Sequence, residues 1–422
     1  MKNPSKKPKR RTTIAPRVVM IGCFDTKAED FEYLYQSLLS NGVEVIAVNT
    51  GVLGTTQLFP VTFEAEQVAM AGGQKLSVLR EKKDRGHALE VMGKGASKIV
   101  ADLEQNDKVD GIIGMGGGGG TFVAIKAMCA LSFGIPKLCL STLATKDLSG
   151  KIGDKDITLV PTIVDVAGLN HMSRVLMSQS AGAICGMISA KIRGNTDVKG
   201  SVAISVFGNT SISADRCSKL LKSEGYDVLS FHAVGTGGMT MESLISDGVF
   251  DAVLDLTTTE LADDLCGGIC SAGPSRLTAA GASGLPQVVV PGCLDMVNFG
   301  PLDSVPEKYR RRKLFSWAPD VTLMRTNKEE NRILGKRMAE KLNAAKGPVC
   351  LVFPLRGLSK IGGEGEIFHD PETDRVLFEA IRKNVVRAIK IIEVEANINT
   401  PYFGDKVSKE LLTLIEQRKT TQ

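Results

Sequence analysis

Five consecutive glycines followed by a threonine are the part of this sequence best suited to chemistry. The run consists of Gly116, Gly117, Gly118, Gly119, Gly120 and then Thr121. Successive glycines let a backbone turn its N–H groups toward one point, and a helix that follows adds its N-terminal dipole. Such a turn favours a phosphate or a carboxylate, so we predict that it binds an anion.

The glycine run does not complete a known nucleotide-binding fingerprint. It is not a Walker A loop, because no Lys-Ser or Lys-Thr pair follows it. Gly114, Gly116 and Gly119 fit the pattern G-x-G-x-x-G, but a glycine run fits almost any glycine pattern, and the acidic residue expected about 20 positions later is absent. The alternative is a turn that only lets a helix and a strand pack closely. Its position after a predicted parallel strand favours anion binding.

A second candidate group, Asp25-Thr26-Lys27, follows the first predicted strand. Lys27 can neutralise phosphate charge, Thr26 can form a hydrogen bond with it, and Asp25 can hold Mg²⁺. Capping of the next helix by Asp25 or Thr26 is an equally good interpretation. Residues 165–170 are either a third loop at the same edge of the sheet or a turn into a helix.

The second half of the chain has four loops rich in small polar residues, each after a predicted strand: residues 209–211, 232–238, 255–260 and 292–298. Ligands of open α/β sheets bind where such loops converge. His232 is a candidate general acid or base, and Asp255, Glu260 and Asp295 are candidates for orienting it or for binding a metal. Arg356 is a candidate for binding an anionic group of a substrate. Each residue taken singly can instead be a cap or turn residue.

The elements that position these residues alternate between short β-branched strands and amphipathic helices. Residues 18–24 are a predicted strand, and residues 43–48 are the next strand. Residues 28–40 between them are a predicted helix with Phe31, Leu34, Leu38 and Leu39 on one face. A strand, a helix and a strand at this spacing predict a parallel sheet. We also predict a helix at 121–131 after the glycine run, and a buried helix at 180–191.

The two halves of the sequence repeat one plan. Gly42 follows Phe24 by 18 positions, and Gly225 follows Phe207 by the same 18, with a similar strand after each glycine. The sequence therefore predicts an α/β protein with two Rossmann-like doubly wound parallel-sheet domains. We place an N-terminal nucleotide-binding domain at residues 17–196 and a C-terminal domain, ending in a helix, at residues 200–422.

The net charge of +5 combines two different parts of the chain. Residues 1–17 carry seven Lys or Arg side chains and no acid, so the other 405 residues hold 45 bases against 47 acids, a net charge of −2. A body so close to neutral argues against a broad nucleic-acid-binding surface. We interpret residues 1–16 as a disordered basic tail, with a nuclear-import or polyanion-binding patch as the alternative.

The composition of the chain excludes further classes of protein. The chain is 43% hydrophobic and 23% charged, which is typical of a globular protein, and no apolar run reaches the length of a membrane-spanning helix. Nine scattered cysteines without a paired metal motif indicate a reducing compartment, so we expect a cytoplasmic protein that does not span a membrane.

Several of these motifs together resemble the family of ATP-binding proteins typified by the N-terminal domain of the tobamovirus-resistance protein of tomato, which has bacterial and fungal members. The resemblance runs from about residue 17 to residue 402, and the basic tail falls outside it. The matching segments are residues 24–27, 116–121, 164–170, 232–238, 255–263, 271–274, 291–300 and 321–326.

The resemblance implies two Rossmann-like subdomains, ATP binding with Mg²⁺ and homodimers. In the plant protein the region is fused to a TIM-barrel domain, so the resemblance also implies a TIM-barrel partner protein for a chain that ends here. We expect an ATP-binding protein that acts on or with a small anionic metabolite. The alternative is a nucleotide-gated module that binds or inhibits a partner protein without turnover.

Overall fold

The structure is a computed structural model that describes residues 15–191 and 198–421. Most of the predicted basic tail therefore lies outside the described residues, as does the end of the first predicted domain. The chain divides into two units, Met1–Arg193 and Gly194–Gln422. In the described part, no helix is both long enough and apolar enough to cross a membrane.

The first unit is built on one five-stranded parallel sheet with the order β2-β1-β3-β4-β5. Its strands are Arg17–Gly22 (β1), Glu44–Asn49 (β2), Gly111–Gly116 (β3), Lys137–Ser141 (β4) and Ile157–Pro161 (β5). Its helices are Ala28–Ser40 (α1), Ala65–Gly72 (α2), Leu76–Lys82 (α3), Arg85–Gln105 (α4), Gly118–Met128 (α5), Ser149–Ile152 (α6) and His171–Ser189 (α7).

Helices cover both faces of this sheet, which is why its strands are apolar along their whole length. Val19 and Ile21 of β1 pack in a cluster with residues of α2 to α5, whereas Val18 and Met20 pack with residues of α1 and α7. This alternation is the period of two that a strand imposes on its side chains. The predicted helix at 180–191 belongs to α7, but only one face of α7 is buried.

The second unit contains a six-stranded parallel sheet with the order β14-β13-β9-β8-β6-β7 and a three-stranded antiparallel sheet with the order β10-β12-β11. The strands are Ser201–Val206 (β6), Asp227–His232 (β7), Ala252–Asp255 (β8), Gln287–Val289 (β9), Met296–Phe299 (β10), Leu314–Ala318 (β11), Val321–Arg325 (β12), Val349–Pro354 (β13) and Lys390–Val394 (β14). The helices are Ser211–Ser223 (α8), Thr236–Ser246 (α9), Glu260–Cys266 (α10), Ala279–Ala282 (α11), Lys328–Asn343 (α12), Pro371–Asn384 (α13) and Pro401–Thr421 (α14).

Both parallel sheets follow one order when their strands are numbered within each unit. The first strand lies between the second and the third, and the fourth and fifth follow beyond the third. The α/β, doubly wound prediction is confirmed, and the shared order agrees with the repeat seen in the sequence. The small antiparallel sheet β10-β12-β11 was not predicted.

Candidate functional site

The two predicted ligand-binding groups of the first unit meet at one point of its sheet. From β1 the chain crosses to β2 on one side, and β3 lies on the other side of β1, so the loops after β1 and β3 flank the place where the strand order reverses. Open α/β sheets bind ligands in this crevice. A cavity of about 690 Å³ lies there, and Asp25, Thr26, Lys27 and the glycine run all line it.

The glycine run forms the start of a helix. Strand β3 ends at Gly116, and α5 begins at Gly118, three residues before the predicted start at Thr121. Glycine is a poor helix former, but the apolar residues that α5 buries from Val123 onward outweigh this weak local preference. The N–H groups of the first turn of a helix have no partner within the helix. Here that turn consists of glycines and lines the cavity.

The positions of the glycine run differ in how much space a larger side chain would have. A Cβ on Gly116 would lie 2.8 Å from the Cα of Gly120, so the backbone needs a glycine there to pack. A Cβ on Gly119 would lie 3.2 Å from Leu89 and 3.4 Å from the guanidinium of Arg85. A Cβ on Gly118 would meet no atom within 4 Å. Close packing explains Gly116, whereas Gly118 borders open space in the cavity.

Thr121 serves the fold rather than the cavity, in contrast to its predicted role. Its side chain is buried, and its hydroxyl lies 2.6 Å from the hydroxyl of Ser141 and donates to the carbonyl of Gly116 at 3.1 Å. These contacts join the start of α5 to the ends of β3 and β4.

Asp25 has one carboxylate oxygen in use and one free. Its Oδ2 accepts a hydrogen bond from the backbone N–H of Leu53 at 2.8 Å, whereas its buried Oδ1 has no hydrogen-bond partner among the described residues. A Cβ on Gly51 would lie 2.3 Å from this carboxylate, so only glycine leaves room for it. The capping interpretation is wrong, because the N-cap of α1 is Lys27 and no side chain caps the helix. A buried oxygen without a partner invites a cation or a hydrogen-bond donor.

Lys27 joins the first loop to a third one. Its ammonium donates to the backbone carbonyl of Val166, while Asn170 caps α7 by accepting from the N–H of Ser173 at 3.0 Å. The segment 165–170 is therefore both a loop at this edge and the turn into a helix. Lysine carries three donor hydrogens, so Lys27 keeps donors for a ligand in the cavity that it lines.

Three further cations of the cavity wall were not predicted from sequence: Arg80, Lys83 and Arg85. Arg80 lies in α3, Lys83 in the turn that follows and Arg85 at the start of α4, inside a segment that the sequence indicates only as helix and loop. Among the described residues the side chain of Arg85 makes no hydrogen bond or ion pair, and it reaches the first turn of α5 at Gly119. The one signal in the sequence is a cluster of bases between residues 80 and 85.

The rest of the cavity wall is apolar. It includes Leu79, Ala88, Leu89, Met92 and Met115, which stand beside the cations and the glycine turn. A neutral thiol completes this wall, because burial raises the pKa of Cys23. The cavity therefore offers backbone donors and cations next to a broad apolar surface.

In the second unit, Asp255 and Glu260 bind an arginine of the chain itself. Arg276 is fully buried and contacts Asp255 at 2.5 and 2.6 Å, Glu260 at 2.5 Å and Glu242 at 3.3 Å. Burial lowers the pKa of Arg276, but these carboxylates, Asp255 above all, raise it well above the ordinary value. The three carboxylates thus surround a buried cation, a role that differs from the catalytic or metal-binding one predicted for Asp255 and Glu260.

Glu260 also fills the second glycine-rich turn of the chain. Its Oε1 accepts from the N–H groups of Gly235 at 2.8 Å and Gly238 at 3.0 Å, at the start of α9. This turn does bind an anion, but the anion is a side chain of the protein. Sequence reasoning missed Arg276 because it lies 16 positions after Glu260, outside the four polar loops.

Asp295, His232 and Arg356 lie in separate surroundings. Asp295 is buried, accepts from the hydroxyl of Ser359 at 2.6 Å, and burial raises its pKa. His232 is exposed at the end of β7. Arg356 is exposed and pairs with Glu395 at 2.9 Å. Among the described residues, no hydrogen bond or ion pair joins these three side chains to Asp255 or Glu260.

A further buried carboxyl group lies on α10. Asp263 accepts from the side-chain amide of Asn298 at 2.8 Å and from the backbone N–H of Cys270 at 3.1 Å. Burial raises its pKa to about 7, although these donors lower it. No group of three or more His, Cys, Asp or Glu side chains suited to a metal occurs in the described ranges. A cation at Asp25 would therefore need further ligands from the bound molecule and from water.

Comparison with known proteins identifies the family. The N-terminal domain model of the uncharacterised protein family UPF0261 matches residues 16–193, and its C-terminal domain model matches residues 199–415. A UPF0261 protein of Clostridium tetani is 42% identical over 402 residues, covering 95% of this chain and 99% of that protein. One from Mesorhizobium japonicum is 36% identical over 394 residues, with 93% and 98% covered.

The tomato ToMV resistance protein Tm-1 is also similar. It is 34% identical over 384 residues, which are 86% of this chain and 51% of the tomato protein. The chain thus spans about half the length of this relative, and the predicted similarity to the tomato protein is confirmed. With both domain models matched and a relative 42% identical over nearly its full length, the chain belongs to the UPF0261 family.

Proposed function

We propose that the first unit binds ATP with Mg²⁺ in the cavity beside the glycine run, as part of a reaction on a second small molecule. The observation that carries the proposal is the helix N-terminus at Gly118, which opens into a cavity beside the guanidinium of Arg85, a group with no hydrogen bond or ion pair in the described part of the chain. The resemblance to the tomato protein's family implies ATP, and the geometry independently favours a ligand that is anionic at one end and apolar at the other.

The phosphates belong at the glycine turn. The first turn of α5 offers backbone N–H groups and the positive end of the helix dipole, which favour an anion. The wall adds Lys27, Arg80, Lys83 and Arg85 against the carboxylates of two aspartates, Asp25 and Asp84. This excess of two positive charges suits the triphosphate of ATP.

The metal ion belongs at Asp25. Mg²⁺ in nucleotide sites is commonly held by one or two carboxylates, phosphate oxygens and water, rather than by a full cage of protein ligands. One orphaned carboxylate oxygen at the edge of a phosphate site fits this requirement. Gly51 leaves room for that carboxylate, and the N–H of Leu53 holds it at 2.8 Å.

The adenine ring belongs on the apolar wall formed by Leu79, Leu89 and Met92. A cavity of about 690 Å³ lies within the range of roughly 300–1,000 Å³ typical of small-molecule sites. The cavity has an apolar surface next to a cationic end. A nucleotide is complementary to it, because its base can lie on the apolar surface and its phosphates can bind the cations.

Calorimetric titration with ATP and Mg²⁺ tests the proposal, using Gly118→Val and a matched control, Gly182→Val. Both glycines lie in helices, and a Cβ at either position meets no atom within 4 Å, but only Gly118 lines the cavity. We expect ATP binding to be lost in Gly118→Val and retained in Gly182→Val, with both variants folded. Equal affinity in the two variants would contradict a phosphate site at the glycine turn.

The proposed setting of this activity is a cytoplasmic homodimer that works with a TIM-barrel partner protein. The support for a partner is that the tomato relative is about twice as long as the matched region. The proposal that Arg356 binds an anionic metabolite has weaker support. That arginine already pairs with Glu395, so its charge is partly neutralised. If ATP binds without being consumed when the partner and metabolites are supplied, the nucleotide-gated module replaces the enzyme.

A further inference from the structure

A second cavity lies on the other side of the glycine turn. It measures about 590 Å³ and lies at the carboxyl ends of β4 and β5, where it is lined by Ser141, Thr142, Thr145, Pro161, Thr162, Ile163, Val164 and Asp165. We call this cavity the hydroxyl groove, because four of its eight lining residues are serine or threonine. Nothing in the ATP proposal uses these residues.

The hydroxyl groove and the nucleotide cavity share a wall that is one residue thick. The hydroxyl of Thr142 lies 3.8 Å from the position of a Cβ on Gly117, and the N–H of Thr142 donates to the carbonyl of Gly116 at 3.3 Å. Gly116 and Gly117 line the nucleotide cavity, whereas Thr142 lines the groove. A molecule in the groove would therefore lie beside the phosphates proposed at the glycine turn.

One buried hydroxyl in the groove has no partner. Thr162 is only 6% exposed, and its Oγ1 makes no hydrogen bond with any described residue. A buried polar group in this state costs free energy unless a ligand or water satisfies it. Thr162 thus points to an occupant that offers a hydroxyl or another polar hydrogen.

The backbone next to Thr162 is strained. Ile163 has a φ of +61°, a value that β-branched residues rarely adopt, and the N–H of Val164 closes a tight turn on the carbonyl of Thr162 at 2.6 Å. The isoleucine side chain is 72% exposed, so burial of that side chain does not repay the strain. The turn instead fixes Thr162 and Asp165 at the rim of the groove.

The charge of the groove decides the class of ligand. Its lining contains one carboxylate, Asp165, and no Lys, Arg or His. An anion would meet no cation here, whereas a neutral polyhydroxylated molecule can exchange hydrogen bonds with the threonine hydroxyls and donate to Asp165. This differs from the nucleotide cavity, whose wall carries an excess of cations.

We propose that the hydroxyl groove binds a neutral polyol or sugar, the second substrate of the ATP-dependent reaction, whose hydroxyl group receives the γ-phosphoryl group. The proposal rests on the proposed function. In the transfer, the acceptor oxygen forms a bond to Pγ while the bond from Pγ to the β–γ bridging oxygen breaks. The electron pair of that bond leaves on ADP, and the hydroxyl proton passes to the carboxylate of Asp165 and then to water.

Binding to the groove can be tested without nucleotide. Glycerol, D-ribose, D-glucose and myo-inositol are titrated into the full chain by ligand-observed NMR, with Thr162→Val and the control Thr158→Val, an exposed threonine of β5 that does not line the groove. We expect at least one of them to bind, and Thr162→Val to weaken it about fivefold to tenfold while Thr158→Val does not. Because the hydroxyl of Thr162 has no hydrogen-bond partner among residues 15–191 and 198–421, its replacement should leave the melting temperature unchanged or higher.

The outcomes separate the two proposals. Absence of binding by all four polyols, or equal binding in the two variants, overturns the groove. Polyol binding that depends on Thr162 in a protein that does not bind ATP supports the groove and overturns the proposed function. With Mg-ATP present, ³¹P NMR should show a phosphomonoester of the polyol, and release of inorganic phosphate alone would overturn the transfer step.

Discussion

Replacement of Asp263 by asparagine should change how the stability of the second unit depends on pH. The carboxyl group is buried, and burial raises its pKa from 3.8 to about 7. The folded state therefore holds a proton that the unfolded state releases above about pH 4. The neutral carboxyl stabilises the fold below pH 4, and this contribution is lost as the pH rises toward 7. A difference of roughly three pKa units at about 1.4 kcal/mol each amounts to roughly 4 kcal/mol.

The surroundings of Asp263 can accommodate an asparagine. Its side-chain oxygen can still accept from the N–H of Cys270, and its new amide group would face the side chain of Asn298. The Oδ1 of Asn298 is buried without a hydrogen-bond partner among the described residues, so a flip of that amide presents an acceptor. The substitution thus removes the titration without removing the contacts.

Urea unfolding between pH 4.5 and 8 measures the effect, with Asp264→Asn as the control. Asp264 is a partly exposed neighbour on α10, paired with Arg337 at 3.3 Å. The free energy of unfolding of Asp263→Asn, relative to that of wild type, should rise by most of the 4 kcal/mol between pH 4.5 and 8. That of Asp264→Asn should depend on pH as the wild-type value does. If the free energy of unfolding of Asp263→Asn follows that of wild type across the pH range to within about 1 kcal/mol, a raised pKa at this site is refuted.

Three further predictions follow from single contacts. Gly116→Ala should lower the free energy of unfolding by about 1–3 kcal/mol in urea titrations, because its Cβ would press on the backbone of Gly120; Gly118→Ala, which meets open space, is its control and should not. Arg276→Met should destabilise the second unit by about 3–5 kcal/mol in thermal or urea unfolding, since it leaves buried carboxylates unpaired, and an unchanged melting temperature would contradict this. Asp25→Asn should weaken ATP binding measured by calorimetry in Mg²⁺ but not in EDTA, and equal loss in both buffers would place the metal elsewhere.

The fold could be predicted because its signals are local. Apolar strands, the spacing of strand, helix and strand, and most of the apolar face of α1 are readable within short windows. Phe31, Leu34 and Leu38 are buried as predicted, whereas Leu39 is 41% exposed, because adjacent positions of a helix point in different directions. The sheet β10-β12-β11 escaped prediction in part because its first strand, Met296–Phe299, overlaps segment 292–298, which was predicted to be a polar loop. The predicted start of α5 at Thr121 was wrong because packing overrides the low helix propensity of glycine.

The candidate site, like the fold, could be predicted where its signals are local and not where they depend on distant contacts. The glycine run and Asp25 carry their chemistry in adjacent residues, so sequence reasoning brought them to the same edge of the sheet. Arg85 and Arg276 act across about 30 and 20 positions of chain, and only the fold brings the first to Gly119 and the second to Asp255. The acidic residues of the second unit looked catalytic because a buried ion pair and an active site use the same residue types.

A crystal structure of the full chain with Mg²⁺ and a non-hydrolysable ATP analogue tests the central claim most directly. The account predicts phosphate oxygens within hydrogen-bond distance of the N–H groups at Gly118 and Gly119, the guanidinium of Arg85 on the same phosphates, and Mg²⁺ bound to Asp25. An analogue bound elsewhere, with the first turn of α5 unoccupied, would contradict it.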